Sequence, residues 1–464
     1  MSERSNALLW GGVRATVGVL VIGVAATVAV ALNTIPLPAV ERDTVAVTVD
    51  TLHGAEQALV CSGSFAELGA DPNRPSVSLP TGIASVTVAG EISSMSELER
   101  TEAGGSAPAV LHAPAGDPLA AAQAQQVLTA TLRGLTASSC AEPVNEQWLI
   151  GGATTLGIST TLSLGNASSV PATVQLTLYD ENGAVDQTRT SGVLVPAGSE
   201  RTVSLNGYAP GREHIAVRVV STGAAVTASL GVAQAASLVP FAVDTVTRQI
   251  APGTTLIVPG VTNISTHQHG PGDAGEIDPY PVLVRVLAPA GETGSATVRA
   301  VMADGSSEQL GQLEFSGSAV AQLPVAHWPE EADAVVIESS APVIAAVQGS
   351  ADSGTEHDYA WFAPAPVLAA DTPVAAPVVF GGSLVLVNPG AVDAVVRIDA
   401  GSGQPREVKV PAGGAVTAVA AGPVTLTSSA PIAAGVRLAG GGDIAGYPIL
   451  TGADRASAIT VYPR

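Results

Sequence analysis

Apolar and polar residues alternate along most of this chain. The run from Ala172 to Asp180, ATVQLTLYD, sets the type: every second residue is apolar, the period of a strand with one face buried. Between Trp148 and Gly260 such runs fall at 156–164, 173–180, 191–195, 200–205, 214–220, 225–233 and 238–245, separated by turn residues. Short strands with turns at this spacing predict an all-β module. An immunoglobulin-like sandwich fits the strand number, and a β-propeller built of half-modules is the alternative.

Two recurring phrases set the organisation. From Leu162 the chain runs through Asn166-Ala167-Ser168, a second strand and the turn Asp180-Glu181-Asn182-Gly183 to Val195-Pro196-Ala197-Gly198. From Leu384 it does so again, with Asn388-Pro389 and Val410-Pro411-Ala412-Gly413. The other phrase stands between two strands at Thr222–Val226, Ser339–Val343 and Ser428–Ile432. Repetition of this kind predicts three tandem β-modules, 148–260, 261–372 and 373–464, the second lengthened by an insertion near Asn263 to Tyr280.

Ahead of the modules, residues 44–147 read as a small α+β region. Thr44 to Val49 and Ala84 to Val88 alternate like strands, whereas Met95 to Gly116 is polar and loop-like. Asp117 as cap, Pro118 at the first helical position and Gly134 at the end predict a helix over Pro118–Arg133, with Gln123, Gln125 and Gln126 facing outward. Ala15 to Leu32 carries no charge and follows Arg4 and Arg14. About 20 apolar residues span a bilayer as a helix, and arginine before them holds that end in the cytoplasm. Residues 1–14 are therefore expected inside, 15–35 as a single transmembrane anchor, and the rest outside. Cleavage at Ala29-Val30-Ala31 is the other reading, and it too exports the chain.

Charge and cysteine content narrow the partners. The formal net charge is −21, and Lys409 is the only lysine. Such a surface lacks the basic footprint that nucleic acid requires, so no nucleic-acid partner is expected. The two cysteines, Cys61 and Cys140, are expected to form a disulfide in an oxidising compartment, two buried thiols being the other reading. Neither has a second ligand at zinc spacing.

Candidate chemistry is sparse. The sequence has no nucleophile elbow, zinc-protease helix, P-loop, dinucleotide fingerprint or calcium loop. Two polar clusters remain. Ser265, His267 and His269, with Asp273, Glu276 and Asp278, offer ligands for a divalent metal if the loop folds back, or else form a solvated insertion. His357 between Glu356 and Asp358 suits a general base, or else sits at a polar hairpin tip, and no Ser or Cys pairs with it in the sequence. Tyr359, Trp361 and Phe362 beside it are either a glycan platform or core aromatics. Asn166 and Asn263 head Asn-x-Ser sequons and read as turn residues. No catalytic residue, cofactor or metal site is assigned on these grounds.

Cys61, Cys140 ahead of Trp148-Leu149-Ile150-Gly151-Gly152, the Leu162–Ser168 phrase and the Val-Pro-Ala-Gly turns together resemble an exported, membrane-anchored actinobacterial family of unknown function. The resemblance covers residues 44–464. It implies a place outside the cytoplasmic membrane and no enzymatic activity. The expectation is a cell-envelope scaffold or interaction protein that holds an envelope protein or a wall polymer. Extracellular glycan or lipid binding is the alternative, and an envelope hydrolase a third.

Overall fold

The computed structural model describes residues 56–114, 118–185, 192–236, 239–265 and 278–451, with short pieces near the two ends at 17, 20–24, 27, 47–49 and 459–461. No helix among the described residues is long and apolar enough to cross a membrane, and most of the apolar segment 15–35 lies outside them. The chain divides into two units. In the first, residues 1–50 with 457–464, Val47–Val49 pairs antiparallel with Ile459–Val461. The second, 51–456, carries everything else.

The second unit is mainly β. Within 146–246, numbered in chain order, the first strand Glu146–Ile150, the sixth Ala216–Thr222, the third Ala172–Asp180 and the fourth Val193–Val195 lie side by side in one sheet. The fifth Ser199–Ser204, second Ile158–Asn166, seventh Thr227–Ala236 and eighth Val239–Val246 make the other. The alternating apolar faces of both sheets meet in one core, with Leu162, Leu164, Leu176, Leu178, Val217 and Leu230 at its centre. Residues 253–362 repeat the same partner order. Their sixth and seventh strands are one continuous strand, Ala332–Asp352, that pairs with Gly294–Met302 in one sheet and with Leu283–Leu287 and His357–Phe362 in the other. Residues 374–448 repeat it again. This order differs from the A-B-E-D and C-F-G sheets of an immunoglobulin constant-type sandwich. Seven of the strands were readable in the sequence; Glu146–Ile150, the two-residue strand Gly183–Ala184 and the strand partnership were not.

The region before Trp148 is built on the same order, with two strands fewer. Gln57–Val60, Ala109–Ala113 and Ser94–Glu97 occupy the first, sixth and third places; Ser85–Ala89, Ala120–Leu128 and Arg133–Ser139 occupy the second, seventh and eighth. No strand among its described residues takes the fourth or fifth place. It is a reduced module, the first of four in chain order, and two expectations fail there. The segment Met95–Gly116 contains two strands rather than loop. The helix expected over Pro118–Arg133 is instead the hairpin of Ala120–Leu128 and Arg133–Ser139, so the region is not α+β among its described residues. Helix propensity lost to tertiary contact. Gln123 and Gln125, expected outside, are buried: Gln123 accepts from Gly63 N and donates to Gly63 O, and Gln125 accepts from Phe65 N and donates to Thr81 O. Each amide acts as a piece of neighbouring strand.

Cys61 and Cys140 are disulfide-bonded across 79 residues. They tie the end of the reduced module's first strand to the end of its eighth, beside a small core of Leu59, Leu111, Ala113, Leu119 and Ala121. Closing such a loop contributes about 4 kcal/mol in the chain-entropy description, support suited to a module with so little core.

The four modules close a ring. The eighth strands Arg133–Ser139, Val239–Val246, His357–Phe362 and Asp443–Pro448 each pack against the next, and the last packs against the first. Outer sheet faces pack between modules as well. Leu287, Ile344 and Trp361 of the third module join the core of the second, and Ile257 and Ala334 meet Val385 and Ala433 at the following junction. Strand His357–Phe362 is buried along its whole length for this reason.

The repeated Asn phrase now has a cause. Asn166 and Asn388 are fully buried at the ends of their second strands. Asn388 Nδ2 donates to the carbonyls of Val392, Val410 and Pro411, and Asn166 Nδ2 to those of Val170, Val195 and Pro196. One amide thus pins the following turn and the Val-Pro-Ala-Gly turn together. Asn388→Ala strands buried carbonyls and is expected to cost about 2–4 kcal/mol. Chemical denaturation checks this, and a cost below roughly 0.5 kcal/mol would contradict the pinning role.

Candidate functional site

Of the groups singled out in the sequence, Asp358 lies on the axis of the ring. Asp358 is fully buried among three eighth strands: its Oδ2 accepts from Leu135 N at 2.8 Å and from Ile444 N at 3.2 Å. Asp244 Oδ2 accepts from Trp361 N at 2.7 Å, Thr136 and Thr245 share a hydroxyl hydrogen bond of 2.9 Å, and Ser139 Oγ donates to Pro448 O at 2.5 Å. Every side of the ring therefore carries a polar link between eighth strands. Gly134 is required here: at φ +144° a Cβ would lie 2.6 Å from Asp358 Oδ1 and 2.8 Å from Val243 N.

Burial dominates the electrostatics. It pushes Asp244 up to about 7, against the opposing hydrogen bonds from the Trp361 and Thr245 amides. Asp358 stands well above the ordinary carboxyl range, first through burial and further through Asp443 and Asp244 nearby. Arg285, also buried, is pulled down to about 9 and stays charged at neutral pH. It lies 4.5 Å over the Trp361 ring and donates to Gly152 O, Glu213 O and Gln322 Oε1, so it locks the second module to the third.

At one end of the axis Arg133 Nη2 pairs with Glu356 at 2.6 Å and Asp443 at 3.2 Å. His357 is buried there, its ring 4.1 Å from Phe241 and 3.9 Å from Tyr280. His357 and Asp358 are neighbours on a strand and point to opposite faces, so they do not form a His–Asp pair. The reading of Tyr359, Trp361 and Phe362 as a glycan platform is overturned: all three are buried in cores. Of the expected metal cluster, His267, His269, Asp273 and Glu276 lie outside the described residues. Asp278 braces its loop, accepting from Asn263 Nδ2 and Tyr280 N. Among the described residues no group of His, Cys, Asp and Glu is placed to hold a metal.

A second feature had no signal in the sequence. Where the reduced module meets the next, a groove of about 790 Å³ opens beside strand Ser199–Ser204. Its floor holds a buried ion pair, Arg100 Nε to Glu200 Oε2 at 2.5 Å. Arg100 also donates to Ser64 Oγ and to the carbonyls of Ser62, Ser64 and Ser106, binding the disulfide region to the second module. The partners stand 100 residues apart, and nothing local in either marks the other.

A family model matches residues 99–421. The chain belongs to the family of unknown function DUF5719. No curated protein and no solved structure matches it significantly. The DUF5719 match begins at Glu99, on the wall of the groove, and takes in the second and third modules and most of the fourth. It leaves out Cys61 and the five strands from Gln57–Val60 to Ser94–Glu97.

Asp244 and Asp358 bind protons more tightly in the folded DUF5719 chain than in the unfolded one. The stability they support is full below the ordinary aspartate range and falls as pH rises through that range toward the raised folded values. The chain is expected to melt several degrees lower near about pH 8 than near about pH 5, and Asp358→Asn, which keeps the acceptor for Leu135 and Ile444, to flatten that slope. A melting temperature unchanged by the substitution at both pH values would count against a neutral Asp358.

Proposed function

We propose that this chain is a non-enzymatic scaffold of the cell envelope, displayed outside the cytoplasmic membrane from its N-terminal apolar segment, where it holds a partner protein. The observation that carries the reading is the use made of the axial carboxyls. Asp244 and Asp358 accept backbone amides across module junctions and are buried, so they serve the closure of the ring. Groups spent in this way hold a shape and do not turn over a substrate. A rigid ring of sandwiches offers broad lateral surface, which suits scaffolding better than a single pocket does.

The test pairs two measurements on the full-length protein. Photo-crosslinking residues placed around the ring in intact cells are expected to give a discrete adduct with one envelope protein. Peptidoglycan, ester and glycoside substrates are expected to show no turnover above blank. Hydrolysis that His357→Ala abolishes would overturn the reading in favour of an enzyme. Saturable binding of purified wall polysaccharide without any protein adduct would move it to glycan recognition.

A further inference from the structure

Beside Cys61, the reduced module and the second module hold between them a small cavity of about 30 Å³. Ser62 and Ser138 reach it from the reduced module and Ser163 from the second. Thr247 and Arg248 reach it from the chain that leaves the eighth strand Val239–Val246. The bridge between Trp148 and Gln249 fixes the course of that chain, each N–H donating to the other's carbonyl at 2.8 Å. Arg248 is 4% exposed and also borders a second cavity, of about 20 Å³, on the side of Cys140 and Pro448.

The guanidinium is oriented, but its charge has no partner in contact. Gln147, fully buried, accepts from Arg248 Nη1 at 3.3 Å, and the same amide oxygen accepts from Ala228 N at 3.1 Å. That oxygen is neutral. Burial pulls Arg248 down to about 10, against the upward pull of Glu142, so the side chain is charged at neutral pH. Glu142 acts on it through charge alone, and no carboxylate forms an ion pair with Arg248 among the described residues. Glu200, whose carboxyl also borders the cavity, is engaged by Arg100 and Ser163. A buried cation without a contact partner bears a large desolvation cost.

The polar atoms turned to this place are donors. Arg248 Nε and Thr247 Oγ1 are buried and find no hydrogen-bond partner among the described residues. Ser62 Oγ and Ser138 Oγ share one hydrogen bond of 3.2 Å, and Gln123 Nε2 donates to Ser62 Oγ at 3.0 Å. Two hydroxyls bring two hydrogens to that pair and use one between them, so one O–H is left to donate. An N–H and two O–H groups beside a buried positive charge suit an anion. Size narrows the choice. The cavity exceeds the roughly 10–15 Å³ that one water takes and is too small for a tetrahedral oxyanion with its four oxygens.

We infer that this cavity seats a monatomic halide, with chloride the natural occupant, as the counter-ion of Arg248. The ion draws donors from both modules, Ser62 or Ser138 on one side and Thr247 and Arg248 on the other, and so ties the reduced module into the ring. A water molecule in that place satisfies the donors and leaves the charge; a halide does both. This inference goes beyond the scaffold reading and stands independently of it.

The test melts the full-length protein in sodium chloride or bromide and, at equal ionic strength, in sodium gluconate, whose anion is too large for the cavity. Equal ionic strength sets general screening aside. The halides are expected to raise the melting temperature saturably, by a few degrees over gluconate. Arg248→Gln is expected to abolish that difference, and Thr247→Val, which keeps the shape and removes the hydroxyl, to move its midpoint to an about threefold or higher halide concentration. A second measurement needs no variant and decides alone if Arg248→Gln does not fold. Crystals of the unaltered protein grown in bromide are expected to show an anomalous scattering peak between Arg248 Nε and Thr247 Oγ1. Equal melting in halide and gluconate, a halide response that survives Arg248→Gln, or a water without anomalous signal at that place, with bromide on the surface only, would each overturn the site.

Discussion

Closure of the ring depends on Asp358. One buried carboxyl accepts amides from two other eighth strands, while Asp244 ties the strand that carries Asp358 to the second module. A charged carboxylate in that place would bear a large desolvation cost, and its Oδ1 finds no partner among the described residues. The neutral form removes that cost and keeps the acceptor. This makes the axis a geometric device: it sets how far the four modules stand apart and fixes their order around the centre.

Around that device the modules are stabilised by repetition of simple means. Alternating Val, Leu, Ile and Ala fill the space between paired sheets. A buried Asn joins two turns in the second and fourth modules. In the third, Ala288 stands at the corresponding end of the second strand, fully buried and without that amide. The reduced module has the smallest core of the four and is the one that carries the disulfide. Arg100, on the groove floor, holds both the loop after Cys61 and Glu200 of the next module. Covalent and ionic ties thus gather where apolar burial is least.

Much of this was legible in the sequence, and the failures have particular causes. Alternation located the strands of the second module to within a few residues, and the Asn and Val-Pro-Ala-Gly phrases marked repeats whose shared role the buried Asn166 and Asn388 explain. The Cys61–Cys140 bridge was readable because only one pairing exists. The hairpin of Ala120–Leu128 and Arg133–Ser139 was not. Its Ala and Gln residues favour helix locally, and only the backbone of Gly63, Phe65 and Thr81, far away in sequence, makes strand the better state. The reduced module hid for a related reason: its likeness to the others lies in strand partnership, which leaves no phrase. His357 was noticed for its acidic neighbours, yet its packing partners Phe241 and Tyr280 come from elsewhere in the chain. The groove gave no sign at all, because its walls come from segments about 100 residues apart, 99–101 and Ser199–Ser204.

The central claim is that four modules, one of them reduced, form a single closed structure through their eighth strands. Native-state hydrogen exchange on the full-length chain tests it most directly. The account predicts that the slowest amides in Arg133–Ser139, Val239–Val246, His357–Phe362 and Asp443–Pro448 exchange together, through one common opening of the whole ring. Exchange of Arg133–Ser139 through a separate, lower-energy opening, with Asp443–Pro448 still protected, would show an open array of modules and contradict the ring.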